Sequence, residues 1–267
     1  HLLNEVAEKK VELNKLTVVD YEEVIKHKLS ILKKIYEITA SDIFESGDYK
    51  QFYKRNKQWL EPYAAFCFFR DKYGSSHFEE WKNNSVYDKA EIDKLIAEKL
   101  SSSNELHFYF FIQFHLHLQL KDAAEYAHKK GIVLKGDIPI GIYRNSCDAW
   151  VEPELYNMSM QAGAPPDDFA VKGQNWGFPT YNWHHMAEDG FSWWRKRFEQ
   201  MSNYFDAFRI DHILGFFRIW SIPMHAVEGI MGYFVPATPV HISEFGQRGL
   251  WFDYQRLCRP FINDSVL

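Results

Sequence analysis

The sequence predicts an α/β protein with parallel strands, and three features predict it. Apolar residues recur at helical spacing through the first third of the chain. The pattern changes at Gly131, where the short run Ile132–Leu134 leads into Gly136-Asp137-Ile138-Pro139. A second short run, Ala207-Phe208-Arg209-Ile210, ends in Asp211-His212 after a further helical stretch. Helix, strand, loop, helix, strand is the order of β/α units.

Taken in order, Asp20 with Glu23 three residues on makes a capping-box-like start. Ile25, Leu29, Leu32 and Tyr36 then fall on one helical face. Further helices are expected near 49–58, 60–72 and 88–101. A longer one should be capped by Asn104, run through Leu106, Phe110, Phe114 and Leu118 to Lys130, and stop at Gly131. The Gly- and Pro-rich stretch 139–182 reads as a loop long enough to carry function. Phe191, Trp194, Phe198, Met201 and Phe205 mark one face of the next helix. The tail from Ile213 should be rich in loops, with short helical pieces around Ala226 and Asp253.

Composition sets outer limits. The 267 residues are 46% hydrophobic and 25% charged, as in ordinary globular proteins. A net charge of −5 without a basic stripe argues against a nucleic-acid partner. The three cysteines, Cys67, Cys147 and Cys258, form no C-x-x-C pair, which suits a reducing compartment. No apolar run approaches the ~20 residues of a membrane span, and no signal peptide opens the chain. A cytoplasmic protein without membrane contact is expected. The chain starts at His1 without Met, and both ends are expected to be cut. Aromatics are plentiful, at 17%; they serve either a large core or platforms for sugar faces, and composition does not separate the two.

Two acids stand out by position. Asp137 and Asp211 each lie at the C-terminal end of an expected parallel strand, and in a β/α barrel such ends converge on the active site. Either could instead cap the segment that follows. Arg209, two residues before Asp211, leaves the strand on the same side. A guanidinium near a carboxylate favours its charged form, as a nucleophile needs, although the same spacing fits a structural ion pair. The twelve histidines show no metal-ligand spacing such as H-E-x-x-H, so no metal is expected.

Five motifs then occur in order: GDIPIGI (136–142), SCDAWVEPELY (146–156), GAPPDDF (163–169), GQNWGFPTYNW (173–183) and FDAFRIDHILGF (205–216). Together they resemble glycoside hydrolase family 77, the amylomaltases. WLEPYAAF (59–66) and the 113–119 stretch extend the likeness upstream, and HILGFFRIW (212–220) is closest to the disproportionating-enzyme-2 branch. The resemblance implies a partial (β/α)₈ TIM barrel holding about strands 3 and 4. It places a helical region at 1–103 and the central part of the barrel at 104–267.

Position by position, the resemblance makes Asp211 the nucleophile and Arg209 the residue that orients it. Asp137 would sit beside the sugar at the point of cleavage, and Trp176 and Asn175 belong to a motif lining the glucan groove. Asp167 and Asp168 lie in a loop expected to arch over the acceptor side, and His212 would be a polar neighbour of the nucleophile. The family's acid/base Glu and its third conserved Asp match nothing in this chain, and Ser221 stands where the family usually has Glu. The implied activity is 4-α-glucan transfer with retention, on α-1,4-glucans such as maltose, maltodextrin or glycogen and without a cofactor. Retention needs two carboxyl groups about 5–5.5 Å apart, so this stretch alone is expected to be inactive. An α-glucan hydrolase or a non-catalytic glucan-binding module are the alternatives.

Overall fold

The structure is a computed structural model describing residues 2–97, 104–237 and 240–258. Five helices form its first layer: α1 (Leu2–Leu13), α2 (Tyr21–Glu45), α3 (Gly47–Tyr73), α4 (Lys89–Ile96) and α5 (Glu105–Lys129). Local chemistry sets their ends. The Asp20 carboxylate accepts the Glu23 N–H, and Asn104 accepts that of Leu106. Gly74 and Gly131 stop α3 and α5 at φ of 68° and 72°. Ser46 does double duty: it ends α2, donating its hydroxyl to the Ile43 carbonyl, and starts α3, accepting from the Tyr49 N–H.

Three helical expectations in this layer need correction. The pieces 49–58 and 60–72 are one continuous helix that carries Pro62 inside it. Proline removes a helical hydrogen bond at a cost of ~3 kcal/mol. Here Leu60, Ala64, Ala65, Phe66 and Phe69 are all buried on the same helix, and that burial holds it through the break. Of the four residues expected on one face of α2, only Tyr36 is buried; Ile25 and Leu29 are exposed, beside an α1 that has no buried residue. The expected helix at 88–101 ends at Ile96, and positions 98–103 lie outside the described residues.

The helical core is aromatic. Tyr36, Phe44, Tyr49, Phe52, Phe110, Phe111 and Phe114 pack together, and Phe66, Phe69 and Trp81 meet Trp150 from beyond α5. Residues on both sides of the expected boundary at 103/104 therefore share one core.

After α5 comes β1 (Lys135–Ile138), then α6 (Cys147–Val151), β2 (Tyr156–Asn157), β3 (Met160–Ala164), β4 (Gln174–Asn175), β5 (Thr180–Tyr181), α7 (Trp183–Glu188), α8 (Ser192–Met201) and β6 (Ala207–Ile210). The strand expected at 132–134 begins three residues later, and Ile132 and Val133 are exposed. Asp206 fixes the offset. Its carboxylate accepts the Leu134 N–H at 2.9 Å and meets the His128 ring at 2.9 Å, while its own N–H donates to the Leu134 carbonyl. The Leu134 bond and then His128 hold its carboxyl below the ordinary range. From there β1 and β6 run parallel, with Asp137 opposite Arg209. Gly136 is required there, because a Cβ would stand 2.7 Å from the Phe205 ring.

The stretch 139–182 is more ordered than expected. β2 pairs with β5, and β3 lies between β4 and β7 (Ile219–Pro223), with β8 (Tyr233–Val235) outermost. β3 is completed by a strand some sixty residues away, so no local periodicity announces it. The helix expected from the 191–205 spacing spans only Ser192–Met201; Phe191 caps it with φ of 61° and Phe205 lies beyond its end. In the tail, Ala226 occupies a turn in place of a helix, α9 (Ile242–Gln247) starts on a capping box between His241 and Glu244, and α10 (Tyr254–Cys258) follows Asp253. A second core of Ile138, Ile140, Tyr156, Ala162, Tyr181, Trp194 and Ile219 supports the ends of β1 and β6.

Phe110 is fully buried against the rings of Tyr53 and His107, and Leu3 is 83% exposed. Phe110→Ala is expected to lower the unfolding free energy by about 3–5 kcal/mol and Leu3→Ala by under ~0.5 kcal/mol, read from urea denaturation.

Candidate active site

Asp137 and Arg209 are the third residues of neighbouring parallel strands and face each other in register. Side chains two apart share a face of a strand, so Arg209 and Asp211 emerge together. The Asp211 N–H donates to the Ile138 carbonyl at 3.1 Å, extending the ladder by one residue. One guanidinium then spans two carboxylates. Arg209 Nε donates to Asp137 Oδ1 at 3.1 Å, and Arg209 Nη2 lies 3.6 Å from Asp211 Oδ1. All three side chains are more than half exposed. In water such pairs contribute little stability. What the geometry supplies is direction: two acids turned to the same open face with a fixed cation between them.

The wall beside them is aromatic. His212 adopts φ of 49°, a left-handed conformation rare outside glycine, and turns the chain sharply after the nucleophile candidate. Its ring stands edge-on to Trp176, with centroids 5.1 Å apart at 85°. Trp176 in turn stacks with Phe178 at 5.8 Å and 22°. Two glycines leave room for this wall. A Cβ on Gly215 would stand 2.7 Å from the His212 ring, and one on Gly141 would stand 2.2 Å from Phe178. The Gly215 N–H also closes the turn onto the His212 carbonyl at 2.8 Å.

The other expected residues sit further along the sheet. Asp167 turns its Oδ1 back to accept the Phe169 and Ala170 N–H groups, which shapes the exposed loop 165–172. Asp168 is exposed on the same loop. The Asn175 side chain is engaged with backbone: Nδ2 donates to the carbonyls of Ala226 and Val227, and Oδ1 accepts the Gly177 N–H. The described contacts therefore join Asp137, Arg209 and Asp211 in one group and Trp176 and His212 in a second. Asp167, Asp168 and Asn175 share no described contact with either. Ser221 is 1% exposed in the middle of β7, opposite Ala162 and Tyr233, so that position points into the sheet's packing.

Phe178, Gly141, Gly215 and Gln161 went unassigned from sequence. Three of them lie inside the quoted motifs, where glycine beside an aromatic is the available signal. Burial raises the pKa of the Tyr156 and Tyr181 phenols beneath the site, and likewise raises the Glu152 carboxyl above its ordinary value. Among the described residues, no group of three His, Cys, Asp or Glu side chains could hold a metal ion. No helix among them is long and apolar enough to cross a membrane.

Two strand-end carboxylates thus share one arginine on an open face, and the second of them is followed directly by the ring pair of His212 and Trp176. The family is established by sequence: residues 1–255 match the model of glycoside hydrolase family 77, described as 4-alpha-glucanotransferase, and the chain belongs to that family. It is 47% identical over 264 residues to the 4-alpha-glucanotransferase DPE2 of Oryza sativa subsp. japonica, covering 99% of this chain and 28% of the rice protein. A 4-alpha-glucanotransferase of Chlamydia muridarum is 32% identical over 209 residues, 78% of this chain and 39% of that protein. The chain thus spans well under half the length of these relatives. Among solved structures, the amylomaltase of Streptococcus agalactiae in complex with acarbose superposes with a TM-score of 0.71 at 28% identity, over 82% of this chain and 45% of that one. The Corynebacterium glutamicum amylomaltase superposes at 0.67 and 23% identity, over 87% of this chain and 31% of that one, which shows likeness of fold.

Because the bridging pairs are exposed, Arg209→Gln should change the unfolding free energy by no more than about 1 kcal/mol. A urea titration showing a loss of about 3 kcal/mol would mark the trio as a structural element instead of a functional one.

Proposed function

We propose that the whole protein is a 4-alpha-glucanotransferase that moves glucosyl or maltooligosyl units between α-1,4-glucans such as maltose, maltodextrin or glycogen. The supporting observation is the single guanidinium of Arg209 between Asp137 and Asp211 at the end of a parallel strand pair. On this proposal β1 and β6 are about the third and fourth strands of a (β/α)₈ barrel, carried in the central part of the chain behind the helical region 1–103. A cytoplasmic location belongs to the same proposal.

Asp211 attacks the anomeric carbon of the donor sugar, and the bond to the leaving oxygen breaks as a covalent glycosyl-enzyme forms. Arg209 holds the Asp211 carboxylate toward the sugar, and Asp137 takes hydroxyls of the ring at the cleavage point. Trp176, with His212 against its edge, offers an apolar face to the glucan. A Glu from outside residues 1–267 protonates the leaving oxygen and then deprotonates the incoming hydroxyl. Asp167 and Asp168, on the loop over the acceptor side, help a second glucan to occupy the place that water would otherwise take.

Full-length protein incubated with maltotriose should yield a ladder of longer and shorter oligosaccharides while the number of reducing ends stays constant. A steady rise in reducing ends would identify a hydrolase, and no change in either would leave a glucan-binding module. Asp211→Asn should cut the rate by about four or more orders of magnitude, as loss of a covalent nucleophile does elsewhere. A variant retaining full transfer would exclude Asp211 from that role.

A further inference from the structure

Two amide side chains outside the arginine–carboxylate group grip one turn of the chain. Gln161, buried in β3, sends Nε2 to the carbonyls of Pro223, Met224 and Ala226 at 3.2, 3.3 and 3.1 Å. Asn175, in β4, sends Nδ2 to the carbonyls of Ala226 and Val227 at 3.3 and 3.1 Å. The turn also closes on itself, Ala226 N–H to Pro223 carbonyl at 2.9 Å. Four backbone carbonyls therefore face two neutral donors, and the Ala226 oxygen accepts from both. The bond from Gln161 to the Ala226 carbonyl is buried, and losing that donor would leave a buried acceptor short of a partner.

The gripped turn leads directly into a second contact. Residues 228–230 lie against the base of loop 165–172: Lys172 Nζ is 2.5 Å from Glu228 Oε1, and the Ile230 N–H donates to the Lys172 carbonyl at 2.7 Å. Gly173 and Gly229 press backbone to backbone, since a Cβ on Gly229 would stand 2.5 Å from the Gln174 nitrogen. The Trp220 indole N–H ties the same segment down through the Gly229 carbonyl at 2.7 Å. The chain of contacts runs from Gln161 and Asn175 through turn 223–227 to segment 228–230, and from there to the loop bearing Asp167 and Asp168.

We propose that Gln161 and Asn175 are positioning residues that, by holding turn 223–227, fix the loop 165–172 in place and so set the partition between sugar acceptor and water. This rests on the transferase function proposed above. The two residues act through the loop and touch no sugar. Asn175 has its two amide hydrogens committed to the carbonyls of Ala226 and Val227, and its oxygen bound to Gly177, next to Trp176. Amides suit the task because they donate without charge; a carboxylate in either place would set oxygen against carbonyl oxygen.

The test uses full-length protein carrying Asn175→Asp, which keeps the shape and removes both donors, and separately Gln161→Glu. Hydrogen exchange is followed without ligand, and reducing-end gain per transfer event is measured with maltotriose. Exchange in 224–230 and in 165–172 should rise together by about tenfold or more, as local opening becomes easier. The hydrolytic share of turnover should rise several-fold, by roughly three to ten times, while donor KM stays within about twofold. Exchange rising in 224–230 alone would overturn the coupling. A raised donor KM with exchange unchanged would overturn it too, by making Asn175 a direct sugar contact. If Gln161→Glu does not fold, the half-buried Asn175→Asp variant carries the test. If the wild-type protein makes no ladder, the transferase function fails by itself, and joint exchange of the two segments still decides whether the clamp exists.

Discussion

The site depends on the parallel register of two four-residue strands. Asp137 and Arg209 meet only because Lys135 pairs with Ala207, and that alignment is fixed where Asp206 captures the Leu134 N–H. A slip of one residue would turn every side chain on one strand to the opposite face. Arg209 and Asp211, which share one strand, would then turn away from Asp137 together. The geometry costs the protein little, since the ions are exposed, but it requires the strand ends to be rigid. The second core provides that rigidity, with Ile138 and Ile140 packed under the site among Tyr156, Tyr181 and Trp194.

Division of labour follows from burial. The helical layer encloses its aromatic rings, and most of the chain's Phe residues in α3 and α5 serve packing alone. Near the strand ends the rings are only partly covered, as at Trp176 and Phe178. Composition alone does not separate enclosed rings from half-covered ones. Depth below the surface does.

Much of the architecture was legible where one local signal sufficed. Asp20, Asn104 and Gly131 mark real helix ends, and the two acids beside Arg209 fall on neighbouring parallel strands, as the order of elements implied. Signals failed where a distant partner decides the outcome. Two helices were expected at 49–58 and 60–72, where packing against α5 sustains a single one. The apolar run 132–134 suggested a strand, but Asp206 sets its start later. β3 has glycine and alanine where a strand would ordinarily show branched residues, and it exists because β7 comes back to pair with it. The hold of Gln161 on turn 223–227 was equally invisible, since nothing in a sequence marks a glutamine whose partners are backbone carbonyls sixty residues away.

The joint at Ser46 carries one more implication. A single hydroxyl-bearing residue both closes α2 and opens α3, leaving no slack between two helices that together span residues 21–73. An α-helix advances about 100° per residue, so adding or deleting one amino acid at this hinge would swing the whole inward stripe of α3, Leu60 and Phe66 included, toward water. Evolutionary drift in length is therefore far less tolerable at this point than in the exposed loop around Phe169, where the chain can grow without rotating anything beneath it.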